Sequence, residues 1–348
     1  MKGSEPMKIS VCIATHERAE LLAGTLEAVA RQGVAPGDVV VSDSSAKPAT
    51  REVVSDFAAR HPELRCRYVR SERRALPWQR WWAFTHSSGD WVLFIDDDVR
   101  LDVSALDALA RSIAAAGRKG PVAGMGFVFT WDGEGPQPER DTASPKERWL
   151  RTAAWPSGAL TPGGQTVSFF GLAPDQTVPV DALWGGAMAF PRHVLAEISC
   201  LDNLAALYEA GIGRGEDGVL SHAASRFGRL YLVNRPLARH PRERRGPAPY
   251  ARSGWKLGMT STWGRAHTMR WLASDATAYR REWSRLVALE WLRAARAVMT
   301  RPWRAASWAQ AAGVAWGTAR SLARWSRIPA SPQSDDAAAS SGRAAWAS

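Results

Sequence analysis

The nine residues Trp91-Val92-Leu93-Phe94-Ile95-Asp96-Asp97-Asp98-Val99 set the terms for reading this chain. Trp91 to Ile95 is a strongly apolar run, read as a buried strand, and it stops abruptly at three adjacent carboxylates. Such a cluster at the end of a buried strand repels itself, and it is costly unless a cation or hydrogen bonds compensate. Ligands of open parallel sheets bind at the carboxyl ends of strands. A divalent metal bridging phosphate oxygens is the simplest compensation. A solvated acidic turn is the alternative.

Working outward, Lys8 to Ala14 is a β-branched run read as a strand, and Glu20 to Arg31 has helical apolar spacing at Leu21, Leu22, Leu26 and Val29. Gly33 and Pro36-Gly37 end that helix. Asp38 to Ser42 reads as a strand ending at Asp43, Thr50 to Arg60 as a helix, Arg65 to Arg70 as a strand, and Pro77 to His86 as a helix carrying Trp78, Trp81 and Trp82. Another helix is expected over Val103 to Ala116. Strands alternating with helices imply crossover connections and a mostly parallel, Rossmann-like sheet flanked by helices. From Gly133 to Pro179 Pro, Gly and Thr are dense, and a long, partly irregular insertion is expected. Regularity returns with Ala182 to Phe190, a helix over Arg192 to Ile198, a Gly-rich turn from Gly211 to Gly215, a helix over Val219 to Arg226 and a strand over Leu230 to Val233. Residues 1–245 form the expected main domain, and 246–328 a Trp- and Arg-rich helical appendage with helices over 280–300 and 304–326. The Ala- and Ser-rich stretch 329–348 reads as a disordered tail.

The chain has 348 residues, 45% of them hydrophobic, enough to bury a full core. Its formal charge of +11 favours anionic partners: nucleotide phosphates, nucleic acid or an acidic membrane surface. Cys12, Cys66 and Cys200 are scattered and lack metal spacing, as incidental thiols in a reducing compartment would be. No signal peptide and no transmembrane run are expected, which points to the cytoplasm.

Four further motifs lie at expected strand ends or helix starts. Ala14-Thr15-His16-Glu17-Arg18 can offer backbone N–H groups and a guanidinium to a nucleotide, or simply cap a helix at Thr15. In Val41-Ser42-Asp43-Ser44-Ser45, Asp43 can accept from a base N–H or form an Asx turn. Gly215-Glu216-Asp217 opens a helix, where carboxylates are favoured by the dipole but can also act as a general base. His240, in Ala238-Arg239-His240-Pro241, is a structural imidazole or a metal ligand.

Singly these are ambiguous; their order and spacing are more specific. From about Met7 to His240 the chain resembles the inverting nucleotide-sugar glycosyltransferases of family 2, with the glycosyltransferase-A fold. The residues that carry the resemblance are Ile9 to Thr15 with Arg18, Val41 to Ser45, Leu76-Pro77-Trp78-Gln79-Arg80, Gly89-Asp90 through Asp98, Trp184 to Phe190, Gly215-Glu216-Asp217 and His240. The resemblance implies that Thr15, Arg18 and Asp43 line the nucleotide pocket, with Arg80, Asp96, Asp97, Gly185 and Gly186 around the donor. It implies that Asp98 and His240 bind Mn²⁺ or Mg²⁺, that Asp217 is the catalytic base, and that Glu216 positions the acceptor or the loop. The partners implied are a nucleotide-diphosphate sugar donor and a glycan or lipid-linked acceptor, in cell-surface glycan or polysaccharide synthesis, with no nucleic acid. Trp81 stands where family members often have Asn, and the insertion from Gly133 to Pro179 has no clear counterpart.

Competing readings are a non-catalytic sugar-nucleotide-binding relative, a basic nucleic-acid-binding protein, and a nucleotidyltransferase. The last lacks a Gly-rich phosphate loop with a following Lys before the acidic triplet. Between Thr277 and Arg327 there are ten arginines and two acidic residues, Glu282 and Glu290. Trp283, Leu286, Val287, Trp291, Ala294, Ala295 and Val298 fall near one helical face, and Trp308, Ala312, Trp316, Ala319 and Leu322 near another. These helices fit either a hairpin packed on the main domain or a peripheral contact with the anionic inner face of a membrane.

Overall fold

A computed structural model describes residues 7–131, 144–169, 171–172, 175–198, 201–240, 254–324 and 328. Its centre is a mixed sheet of nine strands, in the order β3-β2-β1-β4-β8-β6-β9-β5, with β7 also paired to β9. The strands are β1 Ile9–Thr15, β2 Asp38–Asp43, β3 Cys66–Arg70, β4 Trp91–Asp96, β5 Arg100–Leu101, β6 Val122–Trp131, β7 Thr177–Val180, β8 Ala187–Pro191 and β9 Arg229–His240. The first four pair in parallel, as β3-β2, β2-β1 and β1-β4, and β6 is parallel to β9. The main helices are α1 Ala19–Ala30, α2 Ala49–Arg60, α3 Leu76–Thr85, α4 Ala105–Gly117, α5 Pro145–Leu150, α6 Arg192–Glu197, α7 Asp202–Glu209, α8 Glu216–Ala224, α9 Gly254–Met259, α10 Arg265–Leu272, α11 Ala276–Thr300 and α12 Ala305–Ala323.

Two hydrophobic clusters sandwich the sheet. Leu93 and Ile95 of β4 face a cluster with Leu22 and Leu26 of α1, Phe57 of α2 and Leu109 of α4. Val92 and Phe94 face the opposite cluster, with Phe84 of α3, Leu195 of α6, Leu204 of α7 and Val219 of α8. The apolar run has no polar alternation because both faces of the strand are covered.

Three expectations change here. No element was read over Val122–Trp131, yet it is a ten-residue strand. Gly124 and Gly126 interrupt its apolar pattern because Phe190, Leu230 and Leu183 fill the space where their side chains would be. The strand expected over Leu230 to Val233 runs on to His240, held by the Phe129–Trp131 end of β6 and by β5. The helix expected from Val219 starts at Glu216, with Gly215 before it at φ +82°, which favours glycine.

The described part of the insertion is mostly irregular, as expected, with α5 and β7 inside it. Helix α5 starts with a capping box in which Glu147 N donates to Ser144 Oγ at 3.3 Å and Ser144 N to Glu147 Oε2 at 2.6 Å. Residues 132–143, Cys200, the boundary near 245 and the stretch 329–348 lie outside the described residues. Cys12 is buried and Cys66 half-buried; burial holds both thiols well above their ordinary range, so neither is poised as a nucleophile.

The C-terminal helices pack on the sheet domain. Trp271 and Leu272 of α10 join the cluster beneath α8, and Thr161 Oγ1 of the insertion donates to Glu282 of α11 at 2.5 Å. Trp283, Leu286, Val287 and Ala294 of α11 are buried, but Trp291 is 43% exposed. On α12 the face of Trp308, Ala312, Trp316, Ala319 and Leu322 is turned outward. Trp308 and Trp316 are each 56% exposed, and the buried positions are Ser307, Gly313, Val314, Gly317 and Ser321. Small residues win that contact because they let the backbones of α9 and α12 approach closely; a side chain at Gly258 or Gly313 would meet the partner backbone. Among the described residues, no helix is long and apolar enough to cross a membrane.

Candidate active site

Parallel register brings the carboxyl ends of three strands to one level: Ala14 is opposite Asp96, and Thr15 is opposite Asp43. The antiparallel β8 begins at the same edge, so the loop before it crosses the end of β4, where Asp96 N donates to Gly186 O at 3.3 Å. Ala14, Thr15, His16, Arg18, Leu76, Gln79, Asp96 and Asp97 line an open cleft there of about 240 Å³. That is the usual place for a small-molecule site in an open α/β sheet.

Every residue proposed from the sequence lies at or next to this edge. Thr15 ends β1 and does not cap α1; its hydroxyl donates to Asp97 Oδ2 at 2.7 Å. Arg18, just before α1, donates to Asp97 Oδ1 at 2.6 Å and also reaches Asp98. Its side chain is 37% exposed, so it bridges the buried carboxylates and the open cleft. Burial raises the Asp97 carboxyl to about 7, against the lowering effect of Arg18 and the Thr15 hydroxyl.

Asp96, Asp98 and His240 converge, with one ligand atom from each lying within 4.8 Å of the others. His240 Nε2 is 3.2 Å from Asp98 Oδ1, a buried oxygen that accepts no hydrogen bond. The length of β9 produces this meeting: its last residues pair antiparallel with β5, which starts two residues after Asp98. Two carboxylates and an imidazole, one carboxylate oxygen left without a donor, are a donor set that fits Mn²⁺ or Mg²⁺.

Arg80 ties the acidic end of β4 to the start of α8. It is 3% exposed, and it donates to Asp96 Oδ1 at 2.9 Å, to Gly185 O at 2.6 Å and to Glu216 Oε1 at 3.0 Å. Burial works against its charge, but Asp96 and Glu216 outweigh burial and hold its pKa above the ordinary value. For Asp96, burial dominates and raises its pKa, opposed by Arg80 and assisted by Asp98.

Asp217 Oδ2 accepts from Gly185 N at 3.2 Å and Oδ1 from Gly218 N at 2.8 Å. Burial, then the Glu216 charge, pushes its carboxyl up to about 6. At Gly185 a β-carbon would lie 2.9 Å from Glu216 Oε1 and 3.3 Å from the Arg80 guanidinium, so a side chain there would push against that ion pair. Gly186 is closed by the Phe129 ring.

Asp43 has no exposed surface; it accepts from Ser45 N at 2.8 Å, Ser45 Oγ at 2.5 Å and Tyr68 OH at 3.0 Å. Those contacts are the turn-forming alternative raised by its sequence.

Two residues that sequence reasoning assigned no role contribute here. Gln79 Nε2 donates to Thr15 O at 2.8 Å and Ser42 O at 3.1 Å, clamping the ends of β1 and β2 together. Tyr208 of α7 donates its hydroxyl to Glu216 Oε2. Gln79 sits beside Arg80 in the quoted motif and was within reach of sequence reading, but nothing local marks Tyr208.

Residues 10–168 match the family model described as Glycosyl transferase family 2. No curated protein matches the sequence. Among solved structures, the chain is similar to the mannosyltransferase PcManGT from Pyrobaculum calidifontis in complex with GDP-Man and Mn²⁺, at 18% identity and a TM-score of 0.52, covering 99% of this chain and 80% of that one. It is also similar to GalNAc-T7 with UDP, GalNAc and Mn²⁺, at 16% identity and a TM-score of 0.53, over 77% of this chain; the match spans about half, 51%, of that protein's length. The fold is therefore glycosyltransferase-A, a mixed sheet flanked by helices with further helices at the C-terminal end, and the resemblance to family 2 holds over the matched segment.

Proposed function

We propose that this chain, with its family 2 glycosyltransferase region over residues 10–168, is a metal-dependent inverting transferase that moves a sugar from a nucleotide-diphosphate donor to a hydroxyl acceptor. The observation that carries the reading is a charge imbalance at one cleft. Five carboxylates, Asp96, Asp97, Asp98, Glu216 and Asp217, stand against three guanidinium groups, Arg18 and Arg80 by ion pairs and the buried Arg265 by its charge on Asp217, and the imidazole of His240 faces the Asp98 oxygen that accepts no hydrogen bond. Buried carboxylates in such excess call for a cation.

Asp96, Asp98 and His240 are the residues that would hold the cation. A bound divalent ion supplies positive charge against the diphosphate leaving group. Thr15 and Arg18 face the nucleotide end of the cleft, where the Arg18 guanidinium suits bidentate contact with phosphate oxygens. Asp43 orders that end by holding Ser45 and Tyr68. Arg80 fixes Asp96 and Glu216 relative to each other, and Glu216 is positioned further by Tyr208. Asp217, oriented by two backbone N–H groups, takes the proton from the incoming acceptor hydroxyl. Attack opposite the departing diphosphate inverts the anomeric carbon.

The test is a panel of UDP-, GDP- and dTDP-sugars, each with Mn²⁺ or Mg²⁺, read by thermal shift and by sugar transfer. One donor should raise Tm only with metal present, since a ligand that binds the native state alone stabilises it. Asp98→Ala and His240→Ala should each remove the metal-dependent part of that shift. If no donor shifts Tm with either metal, the reading is wrong.

A further inference from the structure

Helix α12 shows its aromatic side to solvent and its small side to the protein. Positions 308, 312, 316 and 319 fall within about 80° of one another in a 3.6-residue repeat, roughly opposite the buried Ser307, Gly313, Val314, Gly317 and Ser321. The Trp255 ring on α9 is 40% exposed and lies 6.4 Å from that of Trp316. At the other end of the helix, Trp308 Nε1 donates to Pro302 O at 3.0 Å. There the link between α11 and α12 exposes Trp303 by 77%, and Met299 before it by 74%. An aromatic and aliphatic face thus runs from α9 along α12 to the link.

Among the described residues, the exposed charges of α11, α12 and their link have one sign. The two acidic residues between 276 and 324, Glu282 and Glu290, are buried at 6% and 7% exposure, while Arg296, Arg301, Arg304 and Arg324 are exposed. Exposed apolar patches of this kind mark interaction sites. Tryptophan, apolar at one end and able to donate a hydrogen bond at the other, belongs where water meets hydrocarbon. Arginine pairs with lipid phosphates and buries its stem in apolar surroundings.

We propose that the Trp255–Trp308–Trp316 face, with the 301–304 link, seats on an anionic phospholipid bilayer and lies in the plane of its interface. Met299, Leu322 and the alanines between the tryptophans favour hydrocarbon over nucleic acid, whose binding surfaces are polar and charged with isolated stacking rings. The inference stands on this surface alone and is independent of the proposed reaction.

The full chain should co-sediment with vesicles of phosphatidylcholine and phosphatidylglycerol, and about tenfold less with phosphatidylcholine alone. Trp308→Ser with Trp316→Ser should weaken that binding about tenfold or more, and Arg301→Glu with Arg304→Glu should remove the preference for anionic lipid. Both pairs are exposed, and the Tm should be kept. In the unaltered protein, bromine-labelled acyl chains should quench part of the tryptophan emission. Failure to sediment with anionic vesicles, absence of quenching, or tryptophan variants that bind like the parent would each overturn the proposal. So would duplex DNA binding that is lost in those variants while vesicle binding persists.

Discussion

Arg80 is one guanidinium shared by two carboxylates and a carbonyl in a nearly water-free position. Arg80→Met would leave Asp96 and Glu216 without the counter-charge they share, and breaking a buried pair of this kind costs about 3–5 kcal/mol. Urea denaturation should show a loss of that order, with Arg80→Lys losing less. Asp97, raised to about 7 chiefly by burial, makes a pH-dependent contribution. Its folded value lies above the ordinary carboxylate value, so its effect on stability is most favourable at acid pH and is lost as pH rises through about 7. Asp97→Asn mimics the protonated form. Its stability relative to the parent should therefore improve as pH rises from about 4 to about 7, in the absence of metal; a pH-independent difference would contradict this. Asp217 has the opposite consequence for catalysis. As a base it must be ionised, so kcat/KM should climb through an apparent pKa near 6 and level off above it. Asp217→Asn should lower kcat by about 10²–10⁴-fold with donor affinity unchanged; transfer at the normal rate would remove the base from Asp217.

Among the elements, β4 carries the most. Phe94 is 1% exposed and Ile95 also 1%, each against a different face of the sheet. Phe94→Ala should cost about 3–5 kcal/mol in chemical denaturation, from lost transfer energy and the cavity left behind. Strand β9 assembles the candidate metal-binding group by its length: ended at Val233, as its apolar run implied, it would not have delivered His240 to Asp98. The pairing of α9 with α12 depends on close backbone approach. Gly258→Val and Gly313→Val should each lower Tm, because neither glycine has space for a β-carbon against the facing backbone.

The molecule as a whole is more integrated than a catalytic domain with a detachable end. Trp271 and Leu272 of α10 fill the cluster under α8, the helix that opens with Glu216 and Asp217, and Leu272 Cδ1 lies 3.4 Å from where a Gly218 β-carbon would be. Glu282 of α11 holds Thr161 of the insertion. Deleting residues from 254 onward should therefore lower Tm and broaden the melting transition, since it uncovers the cluster that positions the candidate base.

The alternation of strands and helices through Ala116 was legible because β1, β2 and β4 are short runs of apolar, often β-branched residues and most of the breaks carry Gly, Pro or Asp. The acidic residues at the end of β4 were legible for the same reason: charge beside a buried run needs a partner whatever the fold. Val122–Trp131 escaped because its glycines answer to neighbouring rings, which local pattern does not record. Sequence alone determined the residue types and the strand ends that offer them. Only the tertiary structure decided which of them meet: Arg80 reaches Glu216 across 136 positions, and His240 reaches Asp98 by the register of β9 on β5. It also decided that α12 turns its tryptophans outward, because periodicity marks two faces of a helix but the one that can approach a neighbouring backbone most closely is the one buried.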